Sequence, residues 1–302
     1  MGIKKLATFE FAGYPQWGVL TEDETGIYSA FSLEEAFFIP LPETLLEFVR
    51  LGNDGLLALA SAWEQNETTK AVSPIALDTV QILAPFPEVE RNIFCVGKNY
   101  SDHVDELKDL APQLAPQPTH PVIFTKAATS VIGTNEIIQS HKGITKELDY
   151  EGELAVIIGK TGIDISEAEA MNYVYGFTIL NDITARDLQR NHEQWFLGKS
   201  LQTFCPMGPY ILLRDAAPSS FTITTEVNGQ LRQDASTAEC IFSIAHLIHT
   251  LSQGMTLMAG DILATGTPSG VGMGFNPPRY LKTHDTVSVN ISAIGTLTNT
   301  IE

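Results

Sequence analysis

Asp149-Tyr150-Glu151-Gly152-Glu153-Leu154-Ala155-Val156-Ile157-Ile158-Gly159 is the stretch from which the rest of the chain can be read. Leu154 to Ile158 is apolar, partly β-branched and closed by Gly159, which predicts a buried strand. Side chains alternate along a strand, so Glu151 and Glu153 point the same way. Two carboxylates held together repel and raise each other's pKa. A chain that places them at the mouth of a core strand usually supplies a cation. With no Cys and no close His the set is all oxygen, which suits Mg²⁺, Mn²⁺ or Ca²⁺. A Glu-x-Glu pair by itself is most often a solvated strand edge, so the reading needs partners.

The chain has 302 residues, 44% of them hydrophobic and 18% charged, enough for a large domain and a small one. Its formal net charge of −18 argues against nucleic acid and anionic membranes as partners. No apolar run approaches the roughly 20 residues of a membrane span. Met1-Gly2-Ile3-Lys4-Lys5 leads into no signal-type stretch. Cys95, Cys205 and Cys240 are odd in number and widely spaced, which gives neither a zinc spacing nor a disulfide framework. The expectation is a cytoplasmic protein with three reduced thiols.

Residues 1–85 are expected to form a small N-terminal α/β domain. Phe9 to Leu20 and Ile27 to Phe31 read as strands, Pro42 to Leu51 and Gly55 to Glu64 as helices. Pro85-Phe86-Pro87 reads as the link to a β-rich domain over 88–302. There, Asn92 to Gly97, Val122 to Lys126, Tyr175 to Leu180, Asp261 to Ala264 and Thr286 to Ile291 are expected strands. Asn228-Gly229 predicts a tight hairpin. Ser166 with Glu169 resembles a capping box and predicts a helix from Ile163 to Val174. Ser243 to Ser252 reads as an amphipathic helix stopped by Gly254.

Asp182 follows an apolar strand, a usual place for a site residue, and would complete a hard-metal set with Glu151 and Glu153. His103 and Glu106 are three apart and share a face if their segment is helical. Such a pair can activate water, because the carboxylate fixes the imidazole tautomer. Asp102 to Pro121 mixes charge and proline and is expected to act as a lid whose helical turn substrate induces. Thr265-Gly266-Thr267-Pro268-Ser269-Gly270-Val271-Gly272-Met273-Gly274 lacks the Lys and the following helix of a phosphate loop. It reads as a tight loop whose amides and hydroxyls can bind a carboxylate. Lys199, in uncharged surroundings, could stabilise a developing enolate.

Five ordered motifs carry a family resemblance. They are Gly97-Lys98-Asn99-Tyr100-x-x-His103-x-x-Glu106, Asp149-Tyr150-Glu151-x-Glu153-Leu154, Asn181-Asp182-x-Thr184-Ala185-Arg186-Asp187, Gly198-Lys199-Ser200 and Gly260-Asp261-Ile262-x-Ala264-Thr265-Gly266-Thr267-Pro268-x-Gly270-Val271-Gly272. From about residue 88 onward the chain resembles the fumarylacetoacetate hydrolase family, nearest its bacterial oxaloacetate decarboxylase and acylpyruvate hydrolase branch. The resemblance implies a mixed, β-rich α+β fold: a β-sandwich roll with a small N-terminal domain. It implies Mg²⁺ or Mn²⁺ on Glu151, Glu153 and Asp182. His103, Glu106 and Lys199 would be catalytic. Lys126, Arg186 and Thr267 would bind a small 2-oxo acid, and the chain would be a homodimer. The implied activity is divalent-metal-dependent C–C bond cleavage, by oxaloacetate decarboxylation or acylpyruvate hydrolysis. Isomerisation or hydration of an unsaturated 2-oxo dioate is the alternative within the family, and a binding or scaffold role the alternative outside it.

Overall fold

The protein, a computed structural model, is described over residues 2–108 and 118–302. The strand Gly152–Ile158 is buried at every position. It pairs antiparallel with Val174–Asn181 on one side and Ile262–Ala264 on the other. Because both edges are paired and both faces covered, its continuous apolar run is what the backbone needs here. Among the described residues the sheet around it has twelve strands. Beyond Val174–Asn181 lie Cys205–Leu213 and then Lys5–Phe11. Beyond Ile262–Ala264 lie Ile93–Gly97, in parallel, and Val122–Lys126.

The two faces of the sheet follow from side-chain alternation. Ala155 and Ile157 cluster with Trp17, Phe48 and Leu59 from the N-terminal segment and its helices Leu45–Arg50 and Gly52–Thr69. Leu154, Val156 and Ile158 cluster on the other face with Ile223, Val289 and Leu247. Each fully buried Val, Leu, Ile or Phe among them contributes about 1.5–3 kcal/mol. Ile223 and Val289 belong to a second, five-stranded sheet that includes Thr222–Val227, Gln230–Ser236, Thr286–Ile291 and Gly295–Ile301. The architecture is thus a mixed, sheet-rich α+β fold with two packed sheets, as expected. The Asn228-Gly229 turn has φ of 52° and 73°, the left-handed pair that matches the twist of a two-residue hairpin.

Residues 1–85 are joined to the remainder through the main sheet. Lys5 and Leu6 pair with Leu212 and Ile211, so a strand of the expected N-terminal domain continues the sheet that holds Glu153. The partner strand Cys205–Leu213 was not legible from sequence, because Pro206, Gly208 and Pro209 give it the composition of a turn.

Two local expectations are corrected. Ile163 to Val174 is not a helix; only the 3₁₀ turn Ala170–Tyr173 forms. Remote partners hold the backbone where that helix was to begin: Gly162 N–H bonds to Leu257 O, Asp164 N–H to Ser252 O, and Ile165 N–H to Ser252 Oγ. The strand read to Phe31 ends at Ser29, whose hydroxyl caps the helix Ala30–Phe37 by accepting from Ser32 N–H. The segment carrying His103 is the helix Ser101–Lys108. The remainder of the expected lid includes 109–117, which lies outside the described residues.

Candidate metal centre and substrate cavity

The site is assembled where the strands Gly152–Ile158 and Val174–Asn181 end side by side. Asp182 N–H donates to Glu151 O at 2.8 Å, and Glu151 N–H donates to Asn181 Oδ1 at 3.1 Å. These bonds extend the ladder past the strand ends and bring Glu151 opposite Asp182. One oxygen from each of Glu151, Glu153 and Asp182 lies within 4.8 Å of the others. All three residues are buried.

Three buried cations surround them. Lys199 Nζ donates to Glu151 Oε2 at 2.8 Å and to Asp182 Oδ2 at 2.6 Å. Arg186 donates through Nη1 to Glu151 at 2.7 Å and through Nε to Asp149 at 2.9 Å. Lys126 Nζ donates to Asp182 Oδ1 at 2.5 Å, to Ile183 O and to Lys199 O. With all three hydrogens engaged and no solvent exposure, Lys126 holds Asp182 and Lys199 in place and has no donor left for substrate. This corrects the substrate-binding role that the family resemblance implies for Lys126. Arg186 does have one: its Nη2 is buried without a hydrogen-bond partner among the described residues.

Asp149, Glu151, Glu153 and Asp182 face Lys126, Arg186 and Lys199, which leaves one negative charge unmatched. It falls on Glu153, which has no ion-pair partner among the described residues and accepts only Gly266 N–H, at 2.8 Å. Burial, reinforced by Asp182 and Glu151, pushes its carboxyl well above the ordinary range. Burial also raises Glu151, but Lys199, Arg186 and His103 outweigh it and hold that carboxyl far below its usual value. Burial lowers Lys199, and the pull of Asp182 and Glu151 more than reverses this. A hard divalent cation fits this donor set: three converging carboxylate oxygens, an excess of negative charge, and no sulfur or imidazole among them.

Glu151 and Glu153 open onto a cavity of about 470 Å³ whose wall also includes His103, Arg186, Lys199 and Thr267. His103 Nδ1 lies 3.2 Å from Glu106 Oε2, and Glu106 Oε1 accepts Gly270 N–H at 2.9 Å. The glycine-rich loop uses its amides on the protein's own carboxylates. Gly266 N–H holds Glu153, Gly270 N–H holds Glu106, and Gly272 and Met273 N–H hold Asp149. At Gly270 φ is +98°, and a Cβ would stand 1.9 Å from Arg232 O, so only glycine fits. Asp149 has a role that is not legible in the sequence. It fixes Arg186 and the loop together, through bonds to residues 37, 123 and 124 positions away.

Comparison with known proteins agrees with this geometry. Residues 92–302 match the model of the fumarylacetoacetate (FAA) hydrolase C-terminal domain. The chain is 45% identical to oxaloacetate tautomerase YisK of Bacillus subtilis (strain 168), over 98% of this chain and 99% of that one. A fumarylacetoacetate hydrolase from psychrophilic Exiguobacterium antarcticum superposes with a TM-score of 0.82 at 39% identity, covering 99% of both chains. The maleylpyruvate hydrolase of Sphingobium sp. SYK-6, solved with manganese(II) and pyruvate, superposes with a TM-score of 0.76 at 27% identity, covering 98% of both. Fold, ordered motifs and full-length similarity converge: the chain belongs to the fumarylacetoacetate hydrolase family of enzymes.

Proposed function

We propose that this protein is a divalent-metal-dependent enzyme that takes oxaloacetate, or a closely related 2-oxo acid, through its enolate. The observation that carries the reading is the buried Glu151, Glu153 and Asp182 set, two of whose members line a cavity that also presents Lys199, Arg186 and His103. The similarity to a relative named for oxaloacetate tautomerisation supports the substrate class.

Glu151, Glu153 and Asp182 would hold Mg²⁺ or Mn²⁺, which when bound supplies a Lewis acid for the keto group of a 2-oxo acid. Arg186 Nη2, without a hydrogen-bond partner among the described residues, would take a substrate carboxylate oxygen. Lys199 has two hydrogens on Glu151 and Asp182 and a third for the oxygen on which enolate charge develops. The bond to Glu106 assigns the His103 proton to Nδ1 and leaves Nε2 as the base. Removing a proton from C3 and returning it to the enolate oxygen would give the enol, which is tautomerisation. Loss of CO₂ from C4 of oxaloacetate, then protonation of C3, would give pyruvate. With a ketone at C4, His103 would deprotonate water for attack there, and an acylpyruvate would give an acid and pyruvate.

The test is a panel of oxaloacetate and acetylpyruvate with Mg²⁺ or Mn²⁺, following enol absorbance and pyruvate release. Turnover of oxaloacetate that stops on chelation and returns with metal is the expected result. Turnover indifferent to chelation would remove the metal from the proposal, and no turnover of either substrate would remove the substrate class. A cytoplasmic homodimer, implied by the family resemblance, completes the proposal; a monomer by light scattering would remove that part.

A further inference from the structure

Gln233 lies on Gln230–Ser236, a strand of the second sheet, and is fully buried. Its side chain reaches across to the metal strand. Oε1 accepts Gly152 N–H at 3.0 Å. Nε2 donates to Thr267 Oγ1 at 2.8 Å and to Pro268 O at 2.9 Å. Thr267 Oγ1 in turn donates to Gly152 O at 3.1 Å. The three residues therefore close a ring: Gly152 N–H to Gln233, Gln233 to Thr267, and Thr267 back to Gly152 O.

The ring has a fixed direction. A hydroxyl has one hydrogen, and that of Thr267 goes to Gly152 O. Toward the cavity Thr267 Oγ1 can then only accept. Gly152 is also the residue between Glu151 and Glu153, so both of its peptide polar groups are clamped by the ring. The clamp requires close approach: a Cβ at Gly152 would stand 2.3 Å from Thr225 Oγ1 and 3.3 Å from Gln233 Oε1. The spacing residue of the Glu-x-Glu pair must therefore be glycine.

We propose that Gln233 is a positioning residue for this site. It sets the orientation of Glu151 and Glu153 through Gly152, and the donor–acceptor polarity of Thr267, without touching metal or substrate. The inference rests on the metal-site reading above. Groups that orient metal ligands commonly change affinity by ~10–100-fold when removed.

The experiment measures Mn²⁺ affinity by calorimetry, alongside the melting temperature of the chelated protein. The variants are Gln233→Met, Thr267→Val, their double variant, and Thr267→Ser. Gln233→Met and Thr267→Val should each weaken Mn²⁺ binding ~10-fold or more. The double variant should be little worse than either, because members of one network are not additive. Thr267→Ser keeps the hydroxyl and should bind Mn²⁺ like the unmodified protein. Unchanged Mn²⁺ affinity in folded Gln233→Met, or strictly additive losses, would overturn the proposal. A lower melting temperature with unchanged affinity would make Gln233 a packing residue only. Should Gln233→Met not fold, Thr267→Val against Thr267→Ser decides alone. If the unmodified protein binds no Mn²⁺, the metal-site reading itself fails, which is a separate outcome.

Discussion

Glu153 is the residue at which stability and function are expected to part. Its carboxylate is buried, lacks an ion-pair partner and receives one backbone N–H. A buried unpaired charge costs several kcal/mol, and an amide would remove that cost while keeping an acceptor for Gly266. Glu153→Gln should therefore abolish activity that added Mg²⁺ cannot restore, yet raise the melting temperature in chelator by roughly 2–4 °C per kcal/mol recovered. A fall in that melting temperature would show that Glu153 is compensated. His103 supports a second prediction. His103→Ala should slow acylpyruvate hydrolysis and C3 proton exchange roughly 10²–10⁴-fold, because both need a base. Decarboxylation should lose less, since its electrons come from the C3–C4 bond. Equal losses in one preparation would mean that His103 only positions substrate or lid.

At the scale of elements, Glu106 joins the helix Ser101–Lys108 to the glycine-rich loop. One oxygen faces His103 and the other holds Gly270 N–H. The two tasks can be separated. Glu106→Gln can keep an acceptor on Gly270, but its amide would donate to His103 Nδ1 and move the imidazole proton to Nε2. Activity that needs the base should fall roughly 10²-fold, while hydrogen-exchange protection of 101–106 stays. Glu106→Ala should lose both. Retained activity in the Gln variant would refute the tautomer assignment. The helix was legible only as a condition, because three-residue spacing shares a face whether or not the turn forms. The helix over 163–174 failed for the converse reason. Its cap signal is local, but the backbone from Gly162 to Ile165 is held in place by Leu257 and Ser252, about ninety positions along the chain.

At the scale of the whole molecule, the expected boundary at 85–88 falls inside a continuous sheet. Lys5–Phe11 covers the edge of Cys205–Leu213, and the N-terminal helices cover the face formed by Ala155 and Ile157. A chain of 88–302 alone would expose that edge and that face, the combination that templates aggregation. It should therefore be insoluble, or lack a cooperative melting transition by circular dichroism. A soluble fragment melting like the full chain would support two independently folding domains.

Sequence by itself determined what alternation and local chemistry can carry. The apolar run after Glu153 made a buried strand, the period of two put Glu151 and Glu153 on one face, and Asn-Gly fixed the hairpin. The five ordered motifs named the family and with it Asp182, Lys199 and Arg186. Only tertiary structure decided what each of these groups faces. Lys126 turns from substrate to Asp182 and Lys199, Asp149 clamps Arg186 to the loop, and Gln233 meets Gly152 from 81 residues away. A hydrogen bond between remote segments leaves no period and no spacing in the chain. Its partners are chosen by the packing of two sheets, and that packing exists only once both are folded.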